Sequence, residues 1–192
     1  MSKQQNLNAH QALLRLEEGN RAYMEANTST GNISPAVRKE TAENGQSPYA
    51  IIVTCSDSRV IPESIFNAGI GDLFVIRVAG NVIDKHQLAS IEYAQKHLGT
   101  RLIVVMGHTH CGAVEAAMHP DEDCKFIQSI LEEIRSAIGD ESDERAASIL
   151  NVRHSIHRIE NSFEILASEE ENGLDVTGAI YDTETGKVEF LD

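Results

Sequence analysis

Apolar and polar positions fall into short blocks along most of the chain. Residues 50–55, AIIVTC, form a compact apolar run, as expected of a strand buried on both faces. DLFVIRVAG at 72–80 and RLIVVMG at 101–107 repeat that pattern. Helical stretches lie between and after them. ASIEYAQKHLG at 89–99 is closed by Gly99, and CGAVEAAM opens another helix at Cys111. Residues 125–138 and 143–167 carry apolar residues at helical spacing. The tail, DVTGAIYDTETGKVEFLD, predicts two strands joined by a turn around Thr185 and Gly186. At the other end, residues 8–26 place Ala12, Leu13, Leu16, Ala22, Tyr23 and Met24 on an approximate helical stripe interrupted near Gly19. Residues 27–47 form a polar connector with a short helix after Pro35.

Strands alternating with helices predict an α/β fold with a mostly parallel central sheet flanked by helices. The expected plan is a single domain, with residues 1–46 an N-terminal helical arm and 47–192 the α/β core ending in a strand pair.

Charge narrows the function classes. Lys and Arg total 16 against 30 Asp and Glu, a net charge of −14. Such a chain is a poor partner for nucleic acid or an anionic membrane. No apolar run approaches the ~20 residues of a membrane span. The N-terminal residues lack the pattern of a secretory signal. Three cysteines are too few and too scattered for a disulfide framework. The expectation is a reduced, cytoplasmic protein whose functional cysteines act as ligands or nucleophiles.

In an open parallel sheet, functional groups gather beyond the carboxyl ends of the strands. Cys55 ends the first strand and leads into CSDSR at 55–59. His108 ends the third strand and leads into HTHC at 108–111. Cys55, His108 and Cys111 make a set of two thiols and one imidazole, donors suited to zinc. Three protein ligands point to a catalytic site that keeps a position for water. Cys111 at a helix start is expected to ionise readily. His110 is a rival to His108, or else a group beside the metal or in a proton relay. Cys124, in HPDEDCKF, reads as an ordinary packed cysteine. Asp57 is the candidate for a fourth ligand in a closed form. In the open form it orients water instead, held by a bidentate pair with Arg59.

The combination Cys-x-Asp-x-Arg followed by His-x-x-Cys resembles the β-class carbonic anhydrases. RVIPESIFNAGIGDLFVIRVAGNVID, SIEYAQKHLGTRLIVVMGHTHCGAV, GAIYDTETGKVEFL and LLRLEEGNRAY are similar to family segments in family order. The resemblance implies one zinc ion per subunit on Cys55, His108 and Cys111, with Asp57 and Arg59 as the dyad beside it. It implies reversible hydration of carbon dioxide to bicarbonate by a zinc-activated water, and a homodimer or dimer of dimers embraced by the helical arm. Ala79, Gly80, Asn81 and Gly112 are expected to contribute to the substrate pocket, together with a partner subunit. No glutamine occurs between Arg59 and Asn81, so the chain is similar to the prokaryotic rather than the plant-like branch. Some members carry a Trp in an inhibitory bicarbonate pocket. Here Ile52 stands at that place, although Arg77 and Tyr181 resemble its other members. Three readings compete with hydration. One is hydrolysis of carbonyl sulfide or carbon disulfide on the same scaffold. Another is a non-catalytic zinc-binding interaction domain with a filled fourth site. The last is a redox thiol protein, ranked lowest because Cys-x-x-Cys is absent.

Overall fold

The structure, a computed structural model, describes residues 7–25, 31–119, 126–162 and 173–191. Two helices, α1 (Ala9–Glu25) and α2 (Pro35–Asn44), precede strand β1 (Ala50–Thr54). There follow α3 (Pro62–Ile65), β2 (Leu73–Arg77), a 3₁₀ turn (Ala79–Asn81), α4 (Lys85–Leu98) and β3 (Leu102–His108). The described chain ends with α5 (Gly112–Met118), α6 (Gln128–Ile138), α7 (Glu144–Glu160), β4 (Asp175–Tyr181) and β5 (Val188–Leu191).

The sheet order is β2-β1-β3-β4-β5. The first four strands are parallel, and β5 runs antiparallel to β4. Every residue of β1 and β3 is buried, because these two strands lie inside the sheet with both faces covered. Successive side chains alternate between the faces. Ile52, Val104 and Met106 pack with Leu16, Ile65 and Phe66 on one side. Ile51, Val53, Ile103 and Val105 pack with Ile91, Val152 and Ile159 on the other. Each such side chain contributes about 1.5–3 kcal/mol on burial.

Several elements differ from the sequence reading, each for a local reason. The helix read from 89 begins at Lys85, where Asp84 and Gln87 form a reciprocal capping box. The strand read to 80 stops at Arg77, because Gly80 turns into the left-handed region at φ 67°. The helix read from 125 begins at Gln128. The helix read over 143–167 spans Glu144–Glu160, and residues 163–167 lie outside the described residues. Gly19 does not interrupt α1. A Cβ there would sit 2.0 Å from the Phe66 carbonyl oxygen, so its lack of a side chain lets α1 approach the end of α3. The short α3 was not expected, although Pro62 in its first turn is a start signal.

Candidate metal centre

β1 and β3 are hydrogen-bonded neighbours with Thr54 level with Met106, so their carboxyl ends share one rim of the sheet. The Thr54 hydroxyl donates to the Met106 carbonyl at 2.8 Å and ties the two ends together. Cys55 leaves β1 at that rim, His108 ends β3, and Cys111 caps the N-terminus of α5. One donor atom from each of the three lies within 4.8 Å of the others. Their exposures are 5%, 0% and 1%, so all three side chains are buried. Val82, Val114, Leu131, Ile134 and Ile138 pack in the same buried group as the two cysteines.

The imidazole is set up for a cation. His108 Nδ1 lies 2.9 Å from the Thr109 carbonyl oxygen, an acceptor, so Nδ1 carries the proton. Nε2 is left with its lone pair, buried and without a hydrogen-bond partner. A buried polar atom in that condition asks for an explanation. A metal shared with two thiolates supplies one, and the outward bond from Nδ1 is the usual way such a ring is oriented. The residues present therefore fit a soft or borderline cation.

The thiols divide their protons unequally. Cys55 is pushed down to about 4, first by its hydrogen bond with Cys111, against the opposing effect of burial, and then by His108 and the Gly80 amide. The Gly80 N–H donates to Cys55 Sγ at 3.3 Å. Cys111 is pushed up by the same bond to Cys55 and by burial. The ionisation of Cys111 expected at a helix start is opposed by its neighbour. The amides of Ala113 and Val114 do lower it, but the neighbouring Cys55 thiolate outweighs them.

Asp57 faces Arg59. Arg59 Nε and Nη2 donate to its two carboxylate oxygens at 3.0 and 2.8 Å, and the Arg59 amide adds a bond at 2.9 Å. These bonds hold Asp57 down at about 2. Arg59 Nη2 also donates to the His110 carbonyl at 2.8 Å, which links the loop after β1 to the loop after β3. Asp57 is not in the ligand cluster, and that cluster holds no fourth protein ligand among the described residues.

The remaining candidates fall as follows. His110 is outside the cluster, with backbone φ of 56° and its Nδ1 3.4 Å from a Glu144 carboxylate oxygen. Cys124 lies outside the described residues. Arg77 donates to the carbonyls of Cys55 and Asp57, at 3.2 and 2.7 Å, bracing the loop that carries both. Tyr181 meets Tyr23 hydroxyl to hydroxyl at 3.2 Å, and Ile52 is wholly buried. Gly80 and Asn81 are buried, Ala79 is partly so, and Gly112 is exposed. A Cβ at Gly112 would meet nothing within 4 Å, so no protein neighbour requires glycine there.

Sequence reasoning missed a second layer of polar residues. Ser148, Asn151 and Ser155 are buried along α7 and direct side-chain donors at the carbonyls of His108, Gly80 and Asn81. The signal was present as small polar residues at helical spacing on an otherwise apolar face.

Residues 50–188 match the family profile described as carbonic anhydrase. The chain is 40% identical over 137 residues to carbonic anhydrase 2 of Mycobacterium tuberculosis, covering 69% of this chain and 66% of that protein. The chain belongs to the β-class carbonic anhydrase family. Its fold is similar to the β-carbonic anhydrase CafA of Aspergillus fumigatus, with a TM-score of 0.75 and 31% identity over 82% of this chain and 81% of that one. It is also similar to a tetrameric β-carbonic anhydrase of Sordaria macrospora, with a TM-score of 0.71 and 27% identity over 81% of this chain and 91% of that one. The match thus spans about two thirds of the mycobacterial relative and most of each fungal chain. The cluster of Cys55, His108 and Cys111 is consistent with a metal site. No helix among the described residues is long and apolar enough to cross a membrane.

Proposed function

We propose that this protein hydrates carbon dioxide reversibly to bicarbonate and a proton, with a zinc ion held by Cys55, His108 and Cys111. The observation that carries this reading is a buried three-donor cluster without a fourth protein ligand, beside a carboxylate already taken up by arginine. A non-catalytic zinc domain calls for a filled fourth position and gives no role to the Asp57–Arg59 pair. When bound, zinc lowers the pKa of a water molecule and so supplies a nucleophile near neutral pH.

The chain's own residues do the rest. Asp57 is ionised at every physiological pH and accepts the O–H of the attacking water, leaving an oxygen lone pair free for carbon dioxide. Arg59 keeps Asp57 in place, and the His110 carbonyl keeps Arg59 in place. Arg77 fixes the backbone of the same loop. Carbon dioxide carries no charge and offers little to grip. Ala79, Gly80, Asn81 and Gly112 are proposed as its surroundings, completed by a partner subunit. A homodimer or dimer of dimers is supported by the tetrameric Sordaria macrospora relative and by exposed Leu14 and Met24 on the arm. Buried free thiols at Cys55 and Cys111 suit a reducing compartment such as the cytoplasm.

Two substitutions test this assignment. Asp57→Asn should keep its zinc and lose hydration on the order of 10²-fold, the scale of a lost proton-handling group. Cys111→Ser should lose the metal. Full activity in the Asp57 variant, or undiminished zinc in the Cys111 variant, would overturn the corresponding role.

A further inference from the structure

We propose that Asn151 is a positioning residue for the metal centre: by holding the Gly80 carbonyl it aims the Gly80 N–H at the Cys55 sulfur and limits how much charge that thiolate gives the metal. The inference rests on the reading above that Cys55 is a metal ligand.

The geometry forms a short relay. Gly80 N–H reaches Cys55 Sγ at 3.3 Å, and on the other side of the same residue Asn151 Nδ2 donates to the Gly80 carbonyl at 2.7 Å. Gly80 and Asn81 are successive left-handed residues, with φ of 67° and 47°. Residues other than glycine seldom adopt that conformation, asparagine more readily than most, and here its surroundings hold it. The support is visible: Ser155 Oγ donates to the Asn81 carbonyl at 3.0 Å, and Asn81 N–H closes a turn onto the Val78 carbonyl at 3.0 Å. Ile134 closes the remaining side, because a Cβ on Gly80 would lie 2.6 Å from its Cδ1.

Asn151 is 1% exposed. A buried amide is unfavourable unless it is hydrogen-bonded, and an apolar residue would fill the same space without that demand. Its donor is directed at a residue whose amide touches a ligand sulfur. A hydrogen bond to a metal-bound thiolate draws charge from the sulfur, one of the ways outer groups tune a metal. In a site with two thiolates, that withdrawal offsets part of the charge the sulfurs donate and favours a more acidic bound water.

The test uses the full-length protein loaded with cobalt(II) and reads the thiolate-to-metal charge-transfer band. Asn151→Ala and Asn151→Leu both remove the donor, and Leu leaves no cavity. Both should shift the band to lower energy and weaken zinc binding by about 10-fold, as outer-group substitutions do. Val152→Ala is the control. It truncates a wholly buried neighbour on the same helix without touching the Gly80 carbonyl, and should move neither readout. An unmoved band in the Asn151 variants, or an equal shift in Val152→Ala, overturns the proposal. Should the Asn151 variants not fold, the unaltered protein loaded with cadmium-113 decides. A scalar coupling between the metal and the Gly80 amide proton is expected, and its absence counts against the relay. A cobalt protein with no thiolate band at all would instead remove the metal-centre reading on which the inference stands.

Discussion

Asp57 and Arg59 show how one pair of side chains sets the state of the site. The carboxylate is held at about 2, below its ordinary 3.8, chiefly by the hydrogen bonds from Arg59. A carboxylate with a depressed folded pKa adds stability at pH values above its unfolded pKa. That stability is lost as pH falls from about 4 through about 2. An NMR titration of the Asp57 carboxyl should therefore find its midpoint well below the ordinary value, and a midpoint at or above it would contradict the pairing. Loss of activity between pH ~9 and ~6.5 then belongs to the zinc-activated water rather than to Asp57. The thiol side gives a second prediction. Ligation needs both sulfurs as thiolates and His108 neutral. Cys111 holds its proton above the usual thiol range; burial lowers His108, but Cys55 and the Thr109 carbonyl outweigh it and raise the imidazole. Zinc binding should release protons and tighten as pH rises, which calorimetry in buffers of differing ionisation enthalpy can count. Binding without proton release would contradict it. The three-residue cluster and the Asp57–Arg59 pair could be read from the chain because each motif packs its residues within five positions. The Gly80 amide, Arg77 and Asn151 could not, since their roles depend on backbone groups that only the fold brings within reach.

Among the elements, β1 and β3 do most to build the site, because their parallel pairing puts Cys55 and His108 on one rim. Their continuous apolar runs made them plain in the sequence, as did the alternation of strands and helices. Element ends were less so. The start of α4 is decided by a reciprocal cap, and the end of β2 by a glycine conformation. Gly19 shows the limit of local pattern. In sequence it reads as a break, whereas in space it is a contact between α1 and the backbone at Phe66. Gly19→Ala should accordingly lower stability by about 1–3 kcal/mol, the usual range for overpacking. At roughly 2–4 °C per kcal/mol for a chain of this size, thermal melting can measure it. Gly112→Ala, where a Cβ meets nothing within 4 Å, should melt close to the unaltered protein. Equal effects at the two positions would contradict this account of why each is glycine.

For the whole molecule, the sheet presents its chemistry at one rim and its helical arm at the surface. Leu14 and Met24 are each more than two fifths exposed on that arm, and a partner's cover would explain them. Sedimentation should give a dimer or tetramer, whereas a monomer at working concentration would contradict the proposed assembly. The net charge of −14 helps keep such an assembly soluble and does not bear on the fold. This rim is proposed to hydrate carbon dioxide through one metal held by Cys55, His108 and Cys111. Stopped-flow hydration across pH ~6.5 to 9, with the zinc counted per chain, tests it most directly. One zinc per chain and a hydration rate that rises with pH are expected. A protein carrying one zinc per chain and inactive throughout that range would contradict the proposal.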